Sequence, residues 1–201
     1  MYTVPDKHKS IELNRDTAAN KGPFEEIKLD GITLAYPKEG LLDNKYYGAG
    51  WHRIAYSDGK VVAIIPGVPD LKIFKAQTDQ ATRKKYGWFL EIDGIKTRRD
   101  LVAKILRVTP EDLSFFDHPL NTMAKSISLS LKRIMVPSYA HISYWITINN
   151  GIQGFQVGLP SDKENLVFIH LFDKNDKHHQ LICYNFTEDE LSRLLSGLNQ
   201  A

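Results

Sequence analysis

The chain has 201 residues, 42% of them hydrophobic and 25% charged, which is the balance of a globular protein with a core and excludes wholesale disorder. Lys plus Arg number 26 against 24 Asp plus Glu, a net charge of +2 that supplies no long-range field for steering onto nucleic acid or anionic lipid. A lone cysteine, Cys183, excludes an internal disulfide and leaves the redox compartment open, and no apolar run reaches the roughly 20 residues of a membrane helix.

Residues 1–22 are polar and lysine-bearing and read as a flexible leader, or a tether behind an anchor, ahead of one domain over 23–201. Ile27-Lys28-Leu29 and Ile32-Thr33-Leu34-Ala35-Tyr36 alternate around Asp30-Gly31, a pair suited to the positive φ angles of a two-residue hairpin turn. Arg53-Ile54-Ala55-Tyr56 and Lys60-Val61-Val62-Ala63-Ile64-Ile65 repeat the pattern across Ser57-Asp58-Gly59, and Pro66-Gly67 stops the second strand. Trp88-Phe89-Leu90-Glu91-Ile92 reads as a further strand.

The period then changes. Thr97 with Asp100 predicts a capped helix carrying Leu101, Val102, Ile105 and Leu106 on one face. Thr109-Pro110-Glu111-Asp112 predicts the start of a short second helix ending near Asp117-His118-Pro119. Between 120 and 135, a helical stripe of Leu120, Met123, Ile127, Leu131 and Ile134 explains more residues than the alternative strand through Ile127, Leu129 and Leu131. Ile142, Tyr144, Ile146 and Ile148 alternate into Asn149-Asn150-Gly151, and 152–159 returns. Segments 166–172 and 181–186 form another hairpin around 173–177. Thr187-Glu188-Asp189-Glu190 is a capping box opening a helix whose Leu191, Leu194, Leu195 and Leu198 share one face. The fold class expected is α+β: antiparallel hairpins and a C-terminal meander packed with three to four helices.

Candidate chemistry is sparse. Asp173-Lys174-Asn175-Asp176-Lys177 has lysine where a calcium loop needs oxygen ligands, and His178 and His179, adjacent on a strand, point to opposite faces; no metal site is expected. Cys183, inside Leu181-Ile182-Cys183-Tyr184, reads as a core residue, because apolar burial suppresses thiolate formation. No Gly-x-Ser-x-Gly elbow is present, and Gly48-Ala49-Gly50-Trp51-His52-Arg53 lacks the third glycine and the Lys-Ser ending of a phosphate loop. Neither a catalytic constellation nor a cofactor is called for.

Recognition residues are a better prospect. Tyr46, Tyr47, Trp51 and His52 sit on an aromatic glycine loop, where such side chains supply contact area at low entropy cost. Arg98 and Arg99 belong to a basic group with Lys96, Lys104 and Arg107, preceded by Arg83-Lys84-Lys85, which could contact phosphates; the near-balanced charge argues against nucleic acid. The meander motifs Asn149-Asn150-Gly151, Gly154-Phe155-Gln156-Val157-Gly158 and Phe172-Asp173 resemble small bacterial toxin-immunity proteins over roughly the last 80 residues. Leu90-Glu91-Ile92-Asp93-Gly94-Ile95 leading into Asp100-Leu101 is similar to the opening of barstar-type inhibitors, but the acidic binding helix of that family is missing, so no site residue is carried over. The resemblance implies a protein-binding module, an immunity-type inhibitor whose partner is a protein, such as a cognate toxin, that it occludes. The alternatives are a hydrolase-like enzyme using His118, His141 or His170 as acid or base, and a nucleic-acid binder working through the basic helix.

Overall fold

The computed structural model describes residues 7–11, 23–67, 95–114, 118–136, 140, 143–148 and 151–200. Among them are eleven strands: β1 Lys7–Ile11, β2 Phe24–Leu29, β3 Ile32–Pro37, β4 Leu41–Gly48, β5 Trp51–Tyr56, β6 Val61–Pro66, β7 Ser143–Ile148, β8 Ile152–Val157, β9 Leu166–Phe172, β10 His178–Tyr184 and β11 Leu198–Gln200. Three α-helices accompany them: α1 Arg98–Arg107, α2 Pro119–Met135 and α3 Glu188–Ser196. The strands form an eight-stranded sheet in the order β1-β7-β8-β9-β10-β6-β5-β4 and a three-stranded sheet in the order β11-β3-β2. Every pairing is antiparallel except that of β1 with β7, so the class is α+β with the sheets dominant. None of the described helices is long and apolar enough to cross a membrane.

The hairpins follow the turn chemistry of the sequence. Leu29 pairs with Ile32 across Asp30-Gly31, and Gly31 takes the positive φ of +99° that this turn requires. The Tyr56 N–H donates to the Lys60 carbonyl across the second turn. The cap expected at Thr97 and the capping box expected at Thr187 are both formed: the Asp100 N–H donates to Thr97 Oγ1 at 3.0 Å, and the Glu190 N–H to Thr187 Oγ1 at 3.3 Å. The meander β7-β8-β9-β10 is formed, its last strand running over His178–Tyr184 rather than 181–186, and segment 120–135 is helical.

Four features differ from the sequence reading. Within the polar leader, Lys7–Ile11 adds a parallel strand to the sheet, an arrangement that local polarity cannot reveal because the pairing partner lies more than a hundred residues away. Tyr46 and Tyr47, placed on a glycine loop by the sequence reading, belong to the edge strand β4, Leu41–Gly48. At Thr109-Pro110 only a three-residue 3-10 turn forms, Pro110–Asp112: Asp112 caps Thr109, but Leu113 turns extended (ψ 117°) and ends it. Finally, α2 buries Ala124, Ser128, Lys132 and Met135, one turn apart, while Met123 and Ile134 of the apolar stripe are exposed. Strand 88–92, the basic group at 83–85, His141 and the Asn149-Asn150 turn residues lie outside the described residues.

The large sheet is covered on both faces. On one, Ile54, Ile64, Ile146, Ile169 and Leu181 pack against Ile32, Leu34 and Tyr36 of β3 and Leu191, Leu194 and Leu195 of α3. On the other, Phe155, Val157 and Phe172 pack against Leu101, Val102, Ile105 and Leu106 of α1 and Met135 of α2.

The α1–α2 junction explains the inward polar face of α2. Fully buried Lys132 donates through Nζ to the carbonyls of Leu106 (2.6 Å) and Val108 (2.9 Å), capping the end of α1 where carbonyls lack helical partners. Burial lowers the Lys132 pKa to about 8 from 10.5. Between those values the unfolded chain binds more protons than the folded one, so stability rises with pH. Lys132→Ala is expected to cost about 3 kcal/mol at neutral pH, from orphaned carbonyls and a cavity. It should also abolish the increase in unfolding free energy from pH 8 to 10, as measured by urea titration.

Candidate functional site

The β4–β5 hairpin sets the first part of the site. Gly48, Ala49 and Gly50 form its turn with φ values of +86°, +48° and +83°, three consecutive left-handed residues that explain the two glycines. The aromatic segment is therefore a tight hairpin rather than the glycine loop inferred from composition. Tyr46 lies directly across from His52, their ring centroids 4.7 Å apart and tilted by 39°, and the Gly50 N–H donates to the Tyr46 hydroxyl at 3.3 Å. Alternation sends Trp51 to the opposite face from His52. Tyr46 and Tyr47 are each 62% exposed and Trp51 is 50% exposed, an uncommon density of large aromatic surface at one sheet edge.

Beneath the hairpin lies a cleft of about 930 Å³. Its floor is Ile64, Ile65 and Pro66 of β6; its sides are Tyr46 and His52 on one flank and Lys28, Leu29 and Asp30 of the β2–β3 tip on another. Lys177, His178, His179 and Arg98 close it. His179 faces the same side of the sheet as Leu181, two residues on, and pairs in register with Pro66. His178 faces the helices, where its Nε2 lies 3.2 Å from His170 Nδ1, and His170 Nε2 meets the Met135 carbonyl at 3.1 Å.

Burial governs the protonation of these imidazoles. It lowers His170 and His179 to about 4, lowers His178 well below the usual range with help from the neighbouring His170, and lowers His52 as well. His179 is 7% exposed, and its Nε2 has no hydrogen-bond partner among the described residues. Asp173 stands beside it. Its Oδ1 accepts the N–H groups of Asn175 and Lys177, each at 2.8 Å, and Lys177 pairs with Asp30 of the opposing hairpin.

Of the six residues singled out from sequence, the structure gathers Tyr46, His52 and Arg98 around this cleft. Tyr47 and Trp51 sit on the hairpin above without lining it. Arg99 is tied into the fold: its guanidinium donates to Gln153 Oε1 and lies 5.8 Å from the Trp145 ring centre. The N–H groups of Arg98 and Arg99 donate to the Asp176 carboxylate, which closes the positive end of α1. Sequence reasoning missed His179, Lys28 and Pro66 as neighbours; the position of His179 two residues before Leu181 was the available signal, since it puts the imidazole on a buried face.

Other candidates separate. His118 is exposed at the start of α2 and His170 is sealed at its far end, about 25 Å along a helix of that length, so these two do not share a site. Cys183 is fully buried, and burial pushes its thiol up to about 12, consistent with a core role. Among the described residues, no three His, Cys, Asp or Glu side chains converge as a metal site. No protein-family model and no curated protein matches this chain.

Two expectations follow. A Cβ at Gly31 would overlap the Asp173 carboxylate and meet a positive φ, so Gly31→Ala should destabilise the fold by about 2–4 kcal/mol, read as a lowered thermal midpoint. The depressed pKa of His179 contributes stability that is present above about pH 6.5 and lost as pH falls toward 4, because the unfolded chain then binds the extra proton. His179→Gln should flatten the dependence of unfolding free energy on pH across that window by about 3 kcal/mol, measured by urea unfolding at pH steps.

Proposed function

We infer that this chain is a protein-binding module, most concretely an immunity-type inhibitor that neutralises a partner toxin by occluding it. The observation that carries this reading is the exposure of Tyr46, Tyr47 and Trp51 within one tight hairpin at the end of the large sheet. Large aromatics on a monomer surface cost solubility without adding to its own core, whereas on a rigid hairpin they bury wide contact area with little ordering entropy on association. Polar and charged neighbours surround them: Asp43 pairs with Lys45 and with Arg53, giving the apolar tip a charged border typical of an interface rim. Strand β4 is in register with β5, and β5 with β6 of a sheet packed on both faces, so the hairpin's geometry is preorganised.

The basic helix supports nucleic-acid binding less well. Arg99 is engaged with Gln153 and Trp145 rather than presented as part of a phosphate-binding stripe.

Tagged capture from source cells is expected to recover one protein in stoichiometric amount. Against that purified protein, Trp51→Ala and Tyr47→Ala should each weaken affinity by about thirtyfold, while the thermal midpoint changes little because both rings are exposed. Unchanged affinity in the double variant, measured by calorimetry, would overturn the assignment of the hairpin tip as the contact.

A further inference from the structure

The cleft below the hairpin has chemistry of its own, distinct from the exposed tip. At about 930 Å³ it lies within the range of pockets that take small organic molecules, roughly 300–1,000 Å³, and its base of Leu29, Ile64, Ile65 and Pro66 is apolar. One wall is the Tyr46 ring, leaning on His52. Two polar features interrupt this surface. The first is His179, whose Nε2 is buried and without a hydrogen-bond partner among the described residues. Leaving such an atom unsatisfied costs about 1–3 kcal/mol, which a ligand group hydrogen-bonded to it would recover. The second is the sign of the rim: among the described residues that line the cleft, Lys28, Lys177 and Arg98 are cationic and Asp30, which pairs with Lys177, is anionic. A cleft with cations at its edge and low-dielectric walls attracts anions.

We propose that this cleft binds a small organic anion with a flat apolar body. The body lies between the Tyr46 ring and the β6 floor, the anionic group faces the Lys28 and Arg98 edge, and His179 Nε2 hydrogen-bonds a polar substituent. A neutral molecule of the same shape gains the floor but not the rim; inorganic phosphate gains the rim but not the floor. The site goes beyond the protein-binding reading and does not depend on it, because Tyr47 and Trp51 do not line the cleft.

The test uses three probes on the full chain: 2-naphthoate, the neutral 2-naphthamide and inorganic phosphate. Binding is followed by calorimetry and by the imidazole resonances of His179 in ¹⁵N-labelled protein. The expected result is saturable one-to-one binding of 2-naphthoate that moves the His179 resonances, with the amide and phosphate each weaker by about tenfold or more. Lys28→Ala, a change at an exposed residue that leaves the core intact, should weaken the naphthoate about tenfold and the amide hardly at all. His179→Leu should weaken both. The proposal is overturned if the His179 resonances stay fixed up to about 5 mM naphthoate. It is also overturned if the amide binds as tightly as the acid, or if Lys28→Ala leaves naphthoate affinity unchanged. Because Lys28→Ala keeps Tyr47 and Trp51, its result is separable from loss of a protein partner.

Discussion

The fold depends on the covering of β9 and β10 from both sides. These two strands lie in the middle of the eight-stranded sheet, with α1 and α2 on one face and the small sheet and α3 on the other. Period-two alternation then leaves neither face of the pair to water, and nearly every residue from Ile169 to Phe172 and from His178 to Leu181 is buried. Polar residues on such strands must be neutral or internally bonded. That single constraint sets the protonation of three histidines: His170 and His178 satisfy each other on the helix side, while His179, on the other, is left with an open nitrogen.

The same constraint positions the cleft. At the Pro66 end of the β6–β10 pairing, the 173–177 turn that leads into β10 reaches past the sheet and meets the tip of the β2–β3 hairpin. The contact is close: Gly31 stands against Asp173, and Asp30 reaches Lys177. Asp173 organises its own turn by accepting two backbone N–H groups, so the loop that bears Lys177 is fixed from within. The β4–β5 hairpin closes the remaining side. A recognition surface and a small-molecule cleft thus share a wall, Tyr46 and His52, but differ in what they present: exposed aromatic area above, an apolar floor with a positive rim below.

Helix α2 carries a related lesson about polar burial. Its inward face is not its most apolar one, because Lys132 satisfies two carbonyls at the end of α1 that would otherwise be buried without donors. Satisfying those carbonyls outweighs burying Met123 and Ile134. The helix is thereby coupled to α1 through a lysine whose charge burial disfavours, so the junction gains stability as pH rises through the alkaline range.

Sequence alone determined the local elements: the Asp30-Gly31 and Ser57-Asp58-Gly59 hairpins, the helix caps at Thr97 and Thr187, the helical character of 120–135 and the meander. Each is encoded by residues within a few positions of one another, through turn preference, cap hydrogen bonds and hydrophobic period. It also placed His178 and His179 on opposite faces and Cys183 in the core. What only the tertiary structure decided was everything resting on distant partners: the strand Lys7–Ile11 against β7, the edge strand β4, the inward face of α2, and the meeting of Tyr46, His52, Arg98 and His179 at one cleft. Those residues lie up to about 130 positions apart, and their approach is fixed by sheet order, which no local propensity specifies.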